Sequence, residues 1–228
     1  MPSWNIHIAH VERLLSSPRW DSWGIADANA FAFGNVVPDT YVGYMVKDAT
    51  KKIEYAETHL SEAHFIPTPD ASAFYTRYVA GSVATELTLG AWCHLLCDHY
   101  YNLRTIEFID RVGVTPSERT RIRKQGDFDL FGRSLEIALV PVVDAELEAQ
   151  CAAFPQYPVD APDVCATDAV IAAIVDNNAQ NHVSSPSYSL LTKEFFDETS
   201  AEVDRVLREA LTLHAAGRDA SHLGRPRA

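Results

Sequence analysis

The chain has 228 residues, 47% hydrophobic and 22% charged, which suits a folded globular protein and excludes a disordered or low-complexity one. Its formal net charge of −12 opposes the two common polyanionic partners, nucleic acid and anionic membrane surfaces. No apolar run reaches the roughly 18 residues of a membrane span. The opening MPSWNIHIAHVERLL lacks the basic and continuous apolar regions of a leader, so a cytoplasmic location is expected. Cys93, Cys97, Cys151 and Cys165 form no CxxC pair and read as free, mostly buried thiols.

In chain order, Ile6, Val11, Leu14 and Leu15 set a helical stripe over about residues 5–16. DANAFAFGNV, 27–36, reads as a short buried helix stopping before Pro38. Thr68-Pro69-Asp70 opens another, and residues 83–111 predict one long helix. Thr115-Pro116-Ser117-Glu118 has the form of a capping box. Helical segments follow near 126–139, 141–153 and 167–180, and then from 193 to 216 between a Thr192 cap and a Gly217 stop. Period-two alternation is absent. The expected fold is all-α, one metal-binding domain over 1–216, with 217–228 a disordered tail.

The long predicted helix contains LGAWCHLLCDHYYN, where His94, Asp98 and His99 interrupt an apolar run. At about 100° per residue, Asp98 lies about 40° from His94, on a face otherwise small or apolar, while His99 lies about 140° away. A buried His–Asp hydrogen bond is one reading of the pair. Metal ligation is another, because i, i+4 spacing brings two side chains over one ion. A nucleophilic dyad has no support, since no GxSxG elbow is present.

Three further segments carry ligand-type residues: His7 in MPSWNIH, Asp39 in GNVVPD and His59 in ETHLSEAH. The order His, Pro-Asp, Thr-His, His-x-x-x-Asp within a Leu/Cys/Tyr-rich helix resembles the zinc-dependent phospholipase C family and its relatives, the single-strand nucleases. The resemblance covers roughly residues 1–105. It implies an all-α multi-helix bundle that hydrolyses phosphoric esters at a cluster of up to three metals. By it, Asp39, His59, His94 and Asp98 hold one zinc, and His7 serves a second metal with Asp98 as the bridging carboxylate. Asp39 and Asp98 are then the candidate catalytic carboxylates. The donor set suits zinc, with manganese or iron as alternatives, and one to three ions are expected.

The family's N-terminal tryptophan amine has no direct counterpart, and removal of Met1 would offer the Pro2 amine instead. Nor does a late His-x-x-x-Glu or His-x-x-x-Asp pair exist: Asn102 occupies the next helical turn, His182 precedes Pro186, and His214 falls near the tail. Asp127 in KQGDFDLFGR is the replacement ligand, with Asp129 read as a residue favoured by a helix dipole. Arg119, Arg121, Arg123 and Lys124 form a basic cluster, of which Arg123 and Lys124 are candidates to contact a substrate phosphate.

The expected function is metal-dependent hydrolysis of a small-molecule or lipid phosphoester by a metal-activated water. From a different class, a metal-stabilised helical binding or structural protein without catalysis fits the missing late ligands. An HD-type phosphohydrolase needs adjacent His-Asp, whereas this chain has Asp98-His99 in reverse order.

Overall fold

The computed structural model describes residues 2–81 and 84–225. Ten α-helices follow one another: α1 Trp4–Leu15, α2 Ala28–Gly34, α3 Val37–Thr40, α4 Tyr55–Thr58, α5 Ala71–Phe74, α6 Glu86–Arg111, α7 Glu118–Arg133, α8 Ala145–Ala152, α9 Ala161–Gln180 and α10 Lys193–Ala215. No strand occurs among the described residues, so the fold is all-α.

Caps set most of the boundaries. Asp27, Thr85, Ser117, Asp144 and Thr192 each accept the backbone N–H three residues on, satisfying a donor that a helix start leaves orphaned. Gly217, at φ 66°, follows the end of α10. Two sequence expectations shift. The cap expected at Thr115 falls on Ser117, and the separate segment at 126–139 is part of one helix, Glu118–Arg133. Beyond it the chain runs irregularly to Asp144, because the Glu12 carboxylate takes the N–H groups of Ala138 (2.6 Å) and Leu139 (2.5 Å) that a helix would have used.

Helix α6 is the axis of the molecule. It packs against α2, α3, α5 and α10, and every residue from Leu87 to His99 is buried. Around it, Trp4, Trp92, Tyr41, Tyr101, Phe31, Phe33 and Phe74 are all but fully buried, each contributing on the order of 2 kcal/mol of apolar transfer free energy. A helix wrapped on all sides has no solvated face, so its His94, Asp98 and His99 must find partners inside the protein.

Two glycines let α2 come unusually close to α6. A Cβ on Gly90 would lie 2.1 Å from the Phe31 carbonyl oxygen, and one on Gly34 would lie 2.1 Å from that of Leu87. The contact brings Asn35 against α6, where its amide nitrogen donates to the Gly90 carbonyl at 3.2 Å.

The expected disordered tail is corrected over its described part. Residues Ser221–Gly224 form a 3-10 turn against α5, Ala220 is buried, and the Tyr100 hydroxyl donates to the Leu223 carbonyl at 2.8 Å. Apolar Ala220 and Leu223, set among charged residues, are what anchor it. Residues 226–228 lie outside the described residues.

Candidate metal centre

Four helices deliver five side chains to one buried point. Helix α6 projects His94 and Asp98 one turn apart. Helix α1 brings His7. The short α3 carries Asp39 directly after Pro38, which fixes its backbone. After α4, Leu60 adopts a left-handed φ of 50° and turns the chain so that the His59 carbonyl accepts the Asp70 N–H at 3.1 Å. All five side chains are buried, Asp39 being the most exposed at 4%.

Ligand atoms at about 2.1 Å from a tetrahedral ion stand roughly 3.4 Å from each other. The observed separations cluster near that figure. His59 Nε2 lies 3.2 Å from His94 Nε2, 3.6 Å from Asp39 Oδ1 and 3.6 Å from Asp98 Oδ2. His94 Nε2 lies 3.9 Å from Asp39 Oδ2, and His7 Nε2 lies 3.2 Å from Asp98 Oδ1. Two triads, His7–His94–Asp98 and Asp39–His59–His94, each bring their ligand atoms within 4.8 Å of one another.

A hydrogen bond fixes one tautomer. His94 Nδ1 lies 2.8 Å from the Asn35 carbonyl oxygen, which only accepts, so Nδ1 carries a proton and in the neutral ring Nε2 carries the lone pair. His59 Nδ1 lies 2.7 Å from the Thr58 hydroxyl, a group that both donates and accepts, and the two Nε2 atoms face each other at 3.2 Å. Two further buried atoms, His7 Nδ1 and Asp39 Oδ1, have no hydrogen-bond partner.

The electrostatics point the same way. Burial drives the pKa of His7 down to about 4, reinforced by His94 and opposed by Asp98, and burial holds His59 well below its usual range. Burial also pushes Asp98 up, but the His7 hydrogen bond and the three imidazoles outweigh it and keep the carboxyl below the ordinary carboxylate range. Asp39 is raised, chiefly by burial. His7 and His59, held neutral beside an ionised Asp98 carboxylate, are donors suited to a divalent cation. The residues fit a metal.

A second layer orients the first, and the sequence did not single it out. The Trp4 indole donates to Asp39 Oδ2 at 2.9 Å, and the Tyr55 hydroxyl donates to Asp98 Oδ2 at 3.1 Å while its ring stacks on His59 at 3.8 Å. Signals existed for both: Trp4 lies three residues before His7 and Tyr55 four before His59, spacings that share a helical face. The Asn35 carbonyl left no trace, because a backbone acceptor is independent of residue type.

Several sequence candidates lie elsewhere. Asp127 is corrected from ligand to structural anchor: its carboxylate accepts the backbone N–H groups of Ser189 (2.7 Å), Leu190 (2.7 Å) and Leu191 (2.8 Å), which engages both of its oxygens away from the cluster. Arg123 donates to the Ser189 carbonyl through its guanidinium. Asp129 sits near the end of α7 and pairs with Arg133 at 3.1 Å, not at a helix start. Lys124 is buried, its ammonium 5.6 Å from the centre of the Phe128 ring, and burial lowers its pKa while the Asp98 charge opposes this. Pro2 is buried ahead of α1, and Met1 lies outside the described residues, so the amine expected there is not placed. His99 Nδ1 turns away to donate to the Pro69 carbonyl at 2.9 Å, which leaves no adjacent His-Asp dyad. Asn102 donates to the Pro67 carbonyl at 2.9 Å.

Comparison with protein-family models, with curated proteins and with solved structures found no match. Among the described residues no helix is long and apolar enough to cross a membrane.

Proposed function

We propose that the chain is a metal-dependent hydrolase of phosphoric esters. The observation that carries the reading is the convergence of Asp39, His59, His94 and Asp98, two carboxylates and two imidazole Nε2 atoms at ligand spacing around one buried point. A bound divalent ion, zinc by preference of this donor set, supplies a water of lowered pKa and polarises a phosphoryl oxygen. His7 extends the set beyond Asp98, which gives room for a second ion. The Asn35 carbonyl holds His94 with its Nε2 toward the site, and the Thr58 hydroxyl steadies the His59 ring through Nδ1. Trp4 and Tyr55 orient the two carboxylates, which are the groups available to hold a proton during turnover. The resemblance to the phospholipase C and nuclease family supplies the reaction class. The net charge of −12 favours a small soluble phosphodiester over a membrane lipid.

The test is hydrolysis of bis(4-nitrophenyl) phosphate by metal-replete protein, chelated protein and Asp98→Asn. Turnover that vanishes on chelation, returns with zinc and fails in the variant is the expected result. Turnover indifferent to both treatments overturns the reading.

A second reading has its own observation. None of the described cavities is lined by any of the five residues, and all five are buried. A closed site of this kind suits an ion that stabilises the fold without turning over substrate. Stoichiometric metal, a melting temperature that drops on chelation and no phosphodiesterase activity would favour it.

A further inference from the structure

On the far side of α10 the chain gathers positive charge, against its overall balance of 31 acidic to 19 basic residues. A groove of about 470 Å³ is lined by Arg19, Arg205, Arg208 and Arg218, with Glu209 the one carboxylate on its wall. Glu209 is engaged by Arg205 at 3.0 Å. Elsewhere along α10, Arg13 is neutralised by Asp204 and Arg104 by Glu202. Arg19, Arg208 and Arg218 have no carboxylate partner among the described residues, and Arg208 is half-buried.

These three arginines come from separate parts of the chain, so helical periodicity does not explain why they line one groove. Arg208 lies on α10. Arg19 precedes the 3-10 turn Trp20–Trp23, which is pinned to α10 by the Trp23 indole donating to the Thr212 hydroxyl at 3.0 Å. Arg218 is folded back by Gly217. Its backbone N–H donates to the Leu213 carbonyl at 2.9 Å, and its own carbonyl accepts the Tyr75 hydroxyl at 3.3 Å. The fold thus lines one groove with four arginines and a single carboxylate, Glu209, which Arg205 engages.

We propose that this groove binds a compact polyanion carrying two or more phosphate groups. Guanidinium is the group that pairs bidentately with phosphate oxygens, and three unpaired ones exceed what a single phosphate needs. The volume is that of a small-molecule site. A nucleic acid strand needs a basic track beyond the groove, and an acidic protein opposes one. The site lies apart from the metal centre and stands independently of the hydrolase reading.

The probe is inorganic tripolyphosphate, titrated calorimetrically into the chelated 228-residue chain, so that the metal centre takes no part. One saturable site that weakens with salt is expected. Arg208→Gln and Arg218→Gln should each weaken it roughly tenfold or more, the loss of one charge-assisted contact, while Arg119→Gln on the exposed face of α7 leaves it unchanged. All three variants should melt as the parent does, since the side chains exchanged are half-buried or exposed and bear no ion pair. Absence of saturable binding, equal affinity in Arg208→Gln and Arg218→Gln, or equal affinity for orthophosphate would each overturn the proposal.

Discussion

His59 Nε2 and His94 Nε2 stand 3.2 Å apart, and the Asn35 carbonyl holds a His94 proton on the opposite ring nitrogen, so the His94 Nε2 side faces the cluster. A cation seated there would be within reach of both imidazoles and of the Asp39 and Asp98 carboxylates. Metal analysis of the purified protein should find at least one divalent ion per chain, and His94→Ala should lower the content. Losing the ion leaves a buried carboxylate uncompensated at about 3–5 kcal/mol, so chelation should depress the melting temperature by roughly 10 °C. A chelated protein that melts unchanged after prolonged dialysis would count against a stabilising metal.

Asp127 should behave as an anchor and not as a ligand. Asp127→Ala strands three backbone N–H groups of residues 189–191, a loss of about 3 kcal/mol that urea unfolding will register. Asp127→Asn keeps the acceptor oxygen and should recover part of it. Metal content should match the parent in Asp127→Asn; a reduced content would return Asp127 to the ligand set.

The close approach of α2 to α6 makes Gly90 a sensitive position. Gly90→Ala puts a methyl group 2.1 Å from the Phe31 carbonyl, forcing the helices apart at about 1–3 kcal/mol or more. The same displacement withdraws the Asn35 carbonyl from His94, so metal affinity should fall together with stability. Gly126, whose added Cβ meets nothing within 4 Å, is the control: Gly126→Ala should be neutral or mildly stabilising, as expected of alanine in a helix interior.

The pH dependence can be followed at His10, away from the cluster. Burial lowers its pKa below 6.5, although Asp204 at 2.7 Å opposes the shift. The unfolded chain therefore binds a proton near pH 6.5 that the folded chain still refuses. The contribution of His10 is full above pH 6.5 and declines as pH falls from there toward its folded pKa. In chelated protein, the His10→Gln variant should show a shallower loss of stability over that interval than the parent. Parallel curves for the two would mean that His10 is already protonated in the fold.

Local chemistry was readable from the chain because it acts over a few residues. The cap at Thr192 and the stop at Gly217 depend on side-chain atoms or backbone freedom within one helical turn. The shared face of His94 and Asp98 follows from helical geometry alone. Where a local signal competed with a distant one, sequence reading failed. Residues 134–143 stayed irregular because Glu12, more than 120 residues earlier, takes their N–H groups. Asp127, legible as a spare carboxylate, was claimed by the segment 189–191.

What the sequence by itself determined is the all-α class, the extents of α1, α6 and α10 to within a few residues, and the identities of five candidate ligands on four segments. Periodicity and capping are properties of neighbouring residues, and residue type limits which side chains can ligate. Only the tertiary structure decided that those five meet, that the Asn35 carbonyl orients His94, and that Arg19, Arg208 and Arg218 share a groove. Those relationships depend on how closely helices approach, and that distance is set where Gly34 and Gly90 allow α2 to lie against α6. No local pattern encodes it, because the contact joins residues more than 50 positions apart.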